Sequence, residues 1–279
     1  MVGFLYRRSL DRWLAYGVLL LAATAMIAPF MIMLLASLKP ATEVIQVPPQ
    51  LVPSTWQWGN YAEVLRILPI GQQLLNSAIV TAGVVSGWVV IATLAGYAFA
   101  RLRFWGRDML FGMYLGTLMI PFAVQIVPMY QLMVTFGWVD RLIALIVPWL
   151  YTAYGTFLLR QFFRSLPLEL EEAAIIDGAS RWGVLVRIAI PLARAPIGTL
   201  ATFGFLYAWN SFLWPLIVIS SPEKKLISQG LTDLQALYAD RLDLVMAAAV
   251  LAILPTLLAF LLAQRSFIEG IATSGFGGR

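Results

Sequence analysis

The chain has 279 residues, 61% of them hydrophobic and 12% charged, and a net charge of +5. Ordinary soluble domains sit nearer about 50% apolar and about 25% charged, so a water-soluble fold could not hide this much apolar surface. Histidine and cysteine are both absent, which removes His/Cys zinc sites, haem ligation by His, Ser-His-Asp and Cys-His nucleophiles, and disulfide chemistry.

In chain order, the first apolar run spans 14–38, behind Arg7, Arg8 and Arg12. It is too long for a secretion signal and no small-residue cleavage site ends it, so it reads as an uncleaved anchor stopped by Ser37-Leu38-Lys39-Pro40. Further runs cover 72–99, 109–130, 142–163, 195–219 and 244–264. Each reaches the roughly 20 residues needed to cross a hydrocarbon core. The fourth is the weakest, interrupted by Pro148 and Gly155. Trp13, Trp56, Trp105 and Trp138 fall near the ends of these runs, where amphipathic rings anchor. The sequence therefore predicts an all-α membrane protein of six transmembrane helices.

Orientation follows from the basic residues. One side collects thirteen arginines, including Arg101, Arg103, Arg107, Arg181 and Arg187, against six Lys and Arg on the other. This places both termini in the cytoplasm, and makes the bias a topological signal instead of a nucleic-acid face. Within the six runs there is no Asp, Glu or Lys, and the only Arg is Arg160, close enough to the cytoplasmic end to snorkel. Ion-coupled carriers need a charged or cation-coordinating site at depth, so a self-contained secondary carrier is disfavoured. No Gly-rich loop ending in Gly-Lys-Ser or Gly-Lys-Thr is present either. Energy for active transport must then come from a separate subunit docked on the cytoplasmic face.

A docking element is written between the fourth and fifth runs. Ser165 and Pro167 open a helix, Gly178 ends it, Ser180 caps a second, and Pro191 closes that one. Glu169, Glu171 and Glu172 gather on an otherwise Arg-rich side, while Ala173, Ala174, Gly178 and Ala179 leave a surface without bulk. The acids suit Arg on a partner. Equally, first-turn Glu simply offsets the helix dipole and Ala simply favours helix.

Glu172-Ala173-Ala174, Gly178 and Ile188-Ala189-Ile190-Pro191 resemble the EAA loop of ATP-binding-cassette (ABC) importer permeases, with Asp177-Gly178-Ala179 also typical and Ile190 standing where that pattern has Leu. The likeness covers nearly the whole chain and is closest to the smaller, six-span permease of the maltose-type carbohydrate importers. Ser37–Pro40, Asn60-Tyr61, Asn76-Ser77, Tyr97-Ala98-Phe99-Ala100-Arg101, Trp209-Asn210, Trp214-Pro215-Leu216 and Met246-Ala247-Ala248 add to it. It implies the ABC type I importer permease (MetI-like) fold. Residues 1–71 would hold the N-terminal tail, first helix and an extracytoplasmic segment. Residues 72–264 would form the five-helix core, with the coupling loop at 165–191, and 265–279 a cytoplasmic tail.

The resemblance also implies that Glu172, Ala173, Ala174, Asp177, Gly178, Ala179, Ile188 and Pro191 seat the loop in an ATPase cleft, and that the chain has no catalytic residue, metal or cofactor of its own. ATP-Mg would be bound by the partner alone. Expected partners are a homologous permease, two ATPase copies, an extracytoplasmic solute-binding protein and the lipid bilayer of a prokaryotic cytoplasmic membrane. Polar and aromatic residues at depth, Asn76, Gln125, Tyr154, Tyr207, Asn210 and Ser211, suit a sugar pathway, where rings stack on apolar sugar faces. Such groups also glue helices together. No deep cation favours a neutral solute, with glycerol 3-phosphate or a polyol as the alternative. An intramembrane enzyme would need a catalytic cluster that these residues do not supply.

Overall fold

The computed structural model describes residues 2–275, with side chains for Arg12 and for residues 15–261. The side chains of Arg7, Arg8, Trp13 and Arg265, and all of Arg279, lie outside the described residues. In chain order the helices are α1 (Val2–Ser37), α2 (Ala41–Val44), α3 (Gly59–Ile67), α4 (Ile70–Arg101), α5 (Arg107–Gly116), α6 (Phe122–Thr135), α7 (Ile143–Ile146), α8 (Ala153–Ser165), α9 (Leu168–Ile176), α10 (Arg181–Val184), α11 (Ile190–Leu192), α12 (Arg194–Trp209), α13 (Leu213–Val218), α14 (Ile227–Leu237) and α15 (Leu242–Gly275). Among the described residues there is no strand.

Three of the expected spans are continuous helices, Ala15–Ser37, Ile70–Arg101 and Leu242–Leu261. The other three are not the straight segments that the apolar runs suggest. Residues 107–135 bend by 100° between Met119 and Phe122. Pro121 has no N–H to continue the ladder and forces Ile120 into extended backbone (φ −82°, ψ 113°). Residues 143–165 bend by 40° at the turn before Thr152, whose Oγ1 caps α8 by accepting from the Gly155 N–H at 3.2 Å. The fifth run, 195–219, is cut into α12 and α13 at Asn210, Ser211 and Phe212.

The chain forms two compact units. The first comprises residues 1–68 and 231–253. Its polar knot joins two sequence motifs that lie twenty residues apart. Asn60 Nδ2 donates to the carbonyls of Ser37 and Lys39, both at 3.0 Å, and Ser37 Oγ meets Tyr61 Oη at 2.7 Å. Lys39, in the motif expected to stop the anchor at the far interface, is 7% exposed and donates to the Gln50 carbonyl. In the same unit Arg241 pairs with Glu63 at 3.1 Å and with the buried Asp243 at 3.0 Å. These carboxylates hold its guanidinium well above the usual arginine range.

The second unit, residues 69–230 and 254–279, is built around α4. Val80, Val84, Trp88 and Ala92 on α4 pack with Leu159 and Phe163 of α8 and Leu200 of α12 in one buried cluster. At about 1.5 Å per residue the 32-residue α4 is about 48 Å long, more than a hydrocarbon core of about 30 Å needs. Arg160, expected to snorkel, is 7% exposed and tied inward. Its Nε donates to the Phe99 carbonyl at 3.2 Å, its guanidinium meets Asp108 at 3.1 Å and it lies 4.0 Å from the centre of the Phe111 ring.

Asp140, at φ +58°, closes the loop before α7 onto the segment after α13. Its carboxylate accepts from the N–H groups of Ser220 and Ser221 at 3.0 and 2.9 Å, from the Ser221 hydroxyl, and from Lys224 at 3.0 Å. The Ser221 hydrogen bonds hold the carboxyl well below its ordinary range. A depressed carboxyl stabilises the fold fully above the unfolded value of about 3.9, and the contribution is lost as pH falls through the folded value. Melting temperature in detergent is therefore expected to fall on acidification below about pH 4. The fall should be smaller in Asp140→Asn, which already starts lower at neutral pH; an identical acid response in the two proteins would rule the latch out.

Candidate functional site

The segment 165–191 folds as helix, break, helix. Pro167, at φ −58° and ψ 134°, leads into α9, and Ser165 does not cap it as expected: its hydroxyl donates back to the Phe162 carbonyl at 2.7 Å. At the other end Gly178 sits at φ +85°. Gly178 N–H donates to Ile175 and Ala179 N–H to Ala174, at 3.0 and 2.9 Å. This pair of bonds is the closure that a left-handed residue after a helix permits. Ser180 then caps α10 as expected, its Oγ accepting from the Gly183 N–H at 3.1 Å. Pro191 does not close the second helix. It sits inside α11, which follows a π turn at Leu185–Ala189, and the chain instead turns by 76° at Ala193 into α12.

Helical spacing divides the segment into two faces. Glu172, Ala173, Asp177 and Gly178 face outward with the large apolar side chains of Leu168, Ile176 and Trp182, which are 55%, 85% and 63% exposed. Large apolar side chains left uncovered on a short helical elbow are what an interaction surface would present. Ala174 and Ala179, expected to share that open surface, are half-buried and pack against the core cluster; Ile188 and Pro191 are half-buried as well.

Glu171 was expected to lie with its acidic neighbours. It is buried at 5% exposure, one helical turn before Ala174 on the inward face. Its Oε1 lies 2.9 Å from Arg101 Nε, both side chains under 8% exposed, and its Oε2 accepts from the Tyr97 hydroxyl at 3.3 Å. Arg101 also donates to the Leu166 carbonyl at 2.5 Å. The end of α4 thus grips α9 and its lead-in. The three-to-four-residue helical period, which pairs position 171 with 174, was the available signal.

Of the residues expected to line a pathway, Asn76, Gln125 and Ser211 lie apart from any shared surface. Asn76 is buried and spent on the carbonyls of Glu223 and Lys225, at 2.8 and 3.1 Å. Gln125 is half-buried and donates to the Ile120 carbonyl at the Pro121 break. The Ser211 carbonyl accepts from Ser228 at 2.7 Å, and Asn210, although exposed, donates to Leu206 within its own helix at 2.8 Å. Tyr154 and Tyr207 are 46% and 43% exposed. Tyr154 packs edge-on against Phe203 at 6.3 Å, while Tyr207 lies between Trp88 and Trp149 at 5.3 and 5.6 Å. Phe203 and Tyr207 on α12 and Asn210 just past its end recur at helical spacing on one exposed face. An aromatic stripe ending in an amide suits a hydroxylated solute.

Known proteins resemble this arrangement. The family described as binding-protein-dependent transport system inner membrane component matches residues 89–272. The sn-glycerol-3-phosphate transport system permease protein UgpE of Pectobacterium atrosepticum is 34% identical over 276 residues, covering 96% of this chain and 98% of its own. The lactose transport system permease protein LacG of Rhizobium radiobacter is 31% identical, covering 96% and 97%. A solved bacterial ABC transporter involved in the import of the acidic polysaccharide alginate shares the fold at a TM-score of 0.79 and 22% identity, over 90% of this chain and 95% of that one.

Proposed function

Because the chain belongs to the family of binding-protein-dependent transport system inner membrane components, we propose that it is the permease subunit of an ATP-driven importer passing a carbohydrate across the cytoplasmic membrane. The observation that carries this reading is the elbow at α9 and α10: an exposed, apolar, small-residue surface on a chain without a nucleotide-binding motif of its own. A separate ATPase, present in two copies, docks there. Glu172 meets a basic residue of its cleft, and Ala173 and Gly178 allow close backbone approach. Both termini and the elbow face the cytoplasm. A second, homologous permease completes the pathway, and a binding protein delivers solute from outside. The chain performs no covalent chemistry and holds no cofactor; ATP-Mg resides in the ATPase. Closure of the ATPase pair levers the permeases from one access state to the other.

The α12 stripe of Phe203, Tyr207 and Asn210 then lines the route, rings against apolar sugar faces and the amide toward hydroxyls. Arg160, the cation within the spans as read from the sequence, is committed to Asp108 and the Phe99 carbonyl, which favours a neutral solute. The glycerol-phosphate relative supports a second reading, in which the partner permease supplies the positive charge.

Reconstitution decides both points. Vesicles holding both permeases and the ATPase, with binding protein outside, should accumulate a labelled oligosaccharide only when ATP is enclosed with the ATPase sites. Accumulation of labelled glycerol 3-phosphate in its place would favour the second reading. Accumulation by this chain alone would end the proposal.

A further inference from the structure

The loop carries four acids on or beside α9, and three of them, Glu169, Glu172 and Asp177, are exposed. Glu171 alone is buried, and it is buried against another part of the chain. An isolated nine-residue helix is marginal in water, so α9 holds its place through what it touches. Arg101 closes α4 and Tyr97 lies one turn earlier, so two residues at i, i+4 on one face converge on a single carboxylate. Arg101 reaches further, to the carbonyl of Leu166 immediately before Pro167, so the grip spans the hinge by which α9 leaves α8.

A buried ion pair is weak evidence for stability, since apolar side chains of similar volume hold elements together as well or better. What a charged pair adds is a fixed geometry, because either partner displaced alone is left charged and uncompensated. From this geometry, and resting on the proposed docking of an ATPase at α9, we infer that Glu171 and Arg101 are positioning residues for energy coupling. They transmit displacement of the elbow to α4, the central helix of the second unit, so that elbow and transmembrane core move together. Neither residue touches the ATPase or the solute.

The test reads solute taken up per ATP hydrolysed in vesicles holding the full complex. In Glu171→Gln and Arg101→Met the carboxylate or the guanidinium is removed with side-chain volume largely kept, and the ratio is expected to fall about ten-fold. The double exchange Arg101→Glu with Glu171→Arg should restore part of it. A role in folding alone would lower the yield of complex and leave the ratio untouched, and that result overturns the inference, as does an unchanged ratio at normal yield. Gly178→Trp is run alongside. If it too transports normally, the docking reading itself has failed; if it abolishes uptake while the Glu171 ratio is unchanged, only the positioning inference has.

Discussion

Replacing Gly178 with Trp is expected to abolish uptake, by about 100-fold or more, because misplacing a constellation by an ångström costs this much. The chain should still insert and fold. No atom outside the adjacent residues lies within 4 Å of a Cβ placed there, so the internal cost is the left-handed backbone alone, about 1–2 kcal/mol for a residue with a side chain. Outside the chain the cost is different, because the indole would stand on the surface proposed to meet the ATPase. Gly178→Ala separates the two effects. It carries the same backbone strain with little bulk, and should keep most transport and most ATPase attachment. Detergent-extracted complex weighed for bound ATPase, together with vesicle uptake, gives the answer. Uptake surviving in the Trp variant would show that the elbow is not the docking surface.

The start of α9 and the turn at Gly178 and Ser180 were legible in the sequence because their signals are local, unlike the expected roles of Ser165 and Pro191. A glycine that must turn left-handed, a serine three residues before an open N–H, and a proline at a helix start act within one turn of themselves. The continuous spans were legible for a similar reason: twenty apolar residues have few other places to go. The bends were not. Periodicity is silent inside a run that is apolar on every side; Pro121 and Pro148 stand beside two of the three breaks, but a proline does not say how far the chain turns. Ala193, where the chain turns into α12, is buried and carries no turn chemistry. Glu171 was misplaced because three acids in four residues look like one charged patch, and its partner Arg101 lies seventy residues away. Ser37–Pro40 and Asn60-Tyr61 were noticed as separate motifs, but only the fold shows that one exists to cap the other. The pathway residues were chosen by polarity at depth, and polarity does not distinguish Asn76, spent on two carbonyls, from Tyr207, nearly half open.

A second glycine is expected to fail in the opposite manner. Gly87 lies where α4 crosses the turn leading into α8, and a Cβ there would fall 2.6 Å from the Leu150 side chain, 2.8 Å from its carbonyl oxygen and 2.9 Å from its Cα. Two of these neighbours are backbone and cannot swing aside. The crossing is pinned next door, since Trp88, itself buried, donates its indole N–H to the Trp149 carbonyl at 2.8 Å. Gly87→Ala should cost about 1–3 kcal/mol, as overpacking in a well-filled core does. Gly87→Leu adds three more carbons against the same backbone and should leave almost no monodisperse protein after extraction, with transport lost because the fold is lost. Gly71→Leu on the same helix, where a Cβ meets nothing within 4 Å, supplies the comparison: size-exclusion profiles of the two leucine variants should differ sharply, and equal yields would mean that α4 and the turn before α8 do not cross so closely. At Gly178 the missing side chain is proposed to make room for another protein, whereas at Gly87 it makes room for this one.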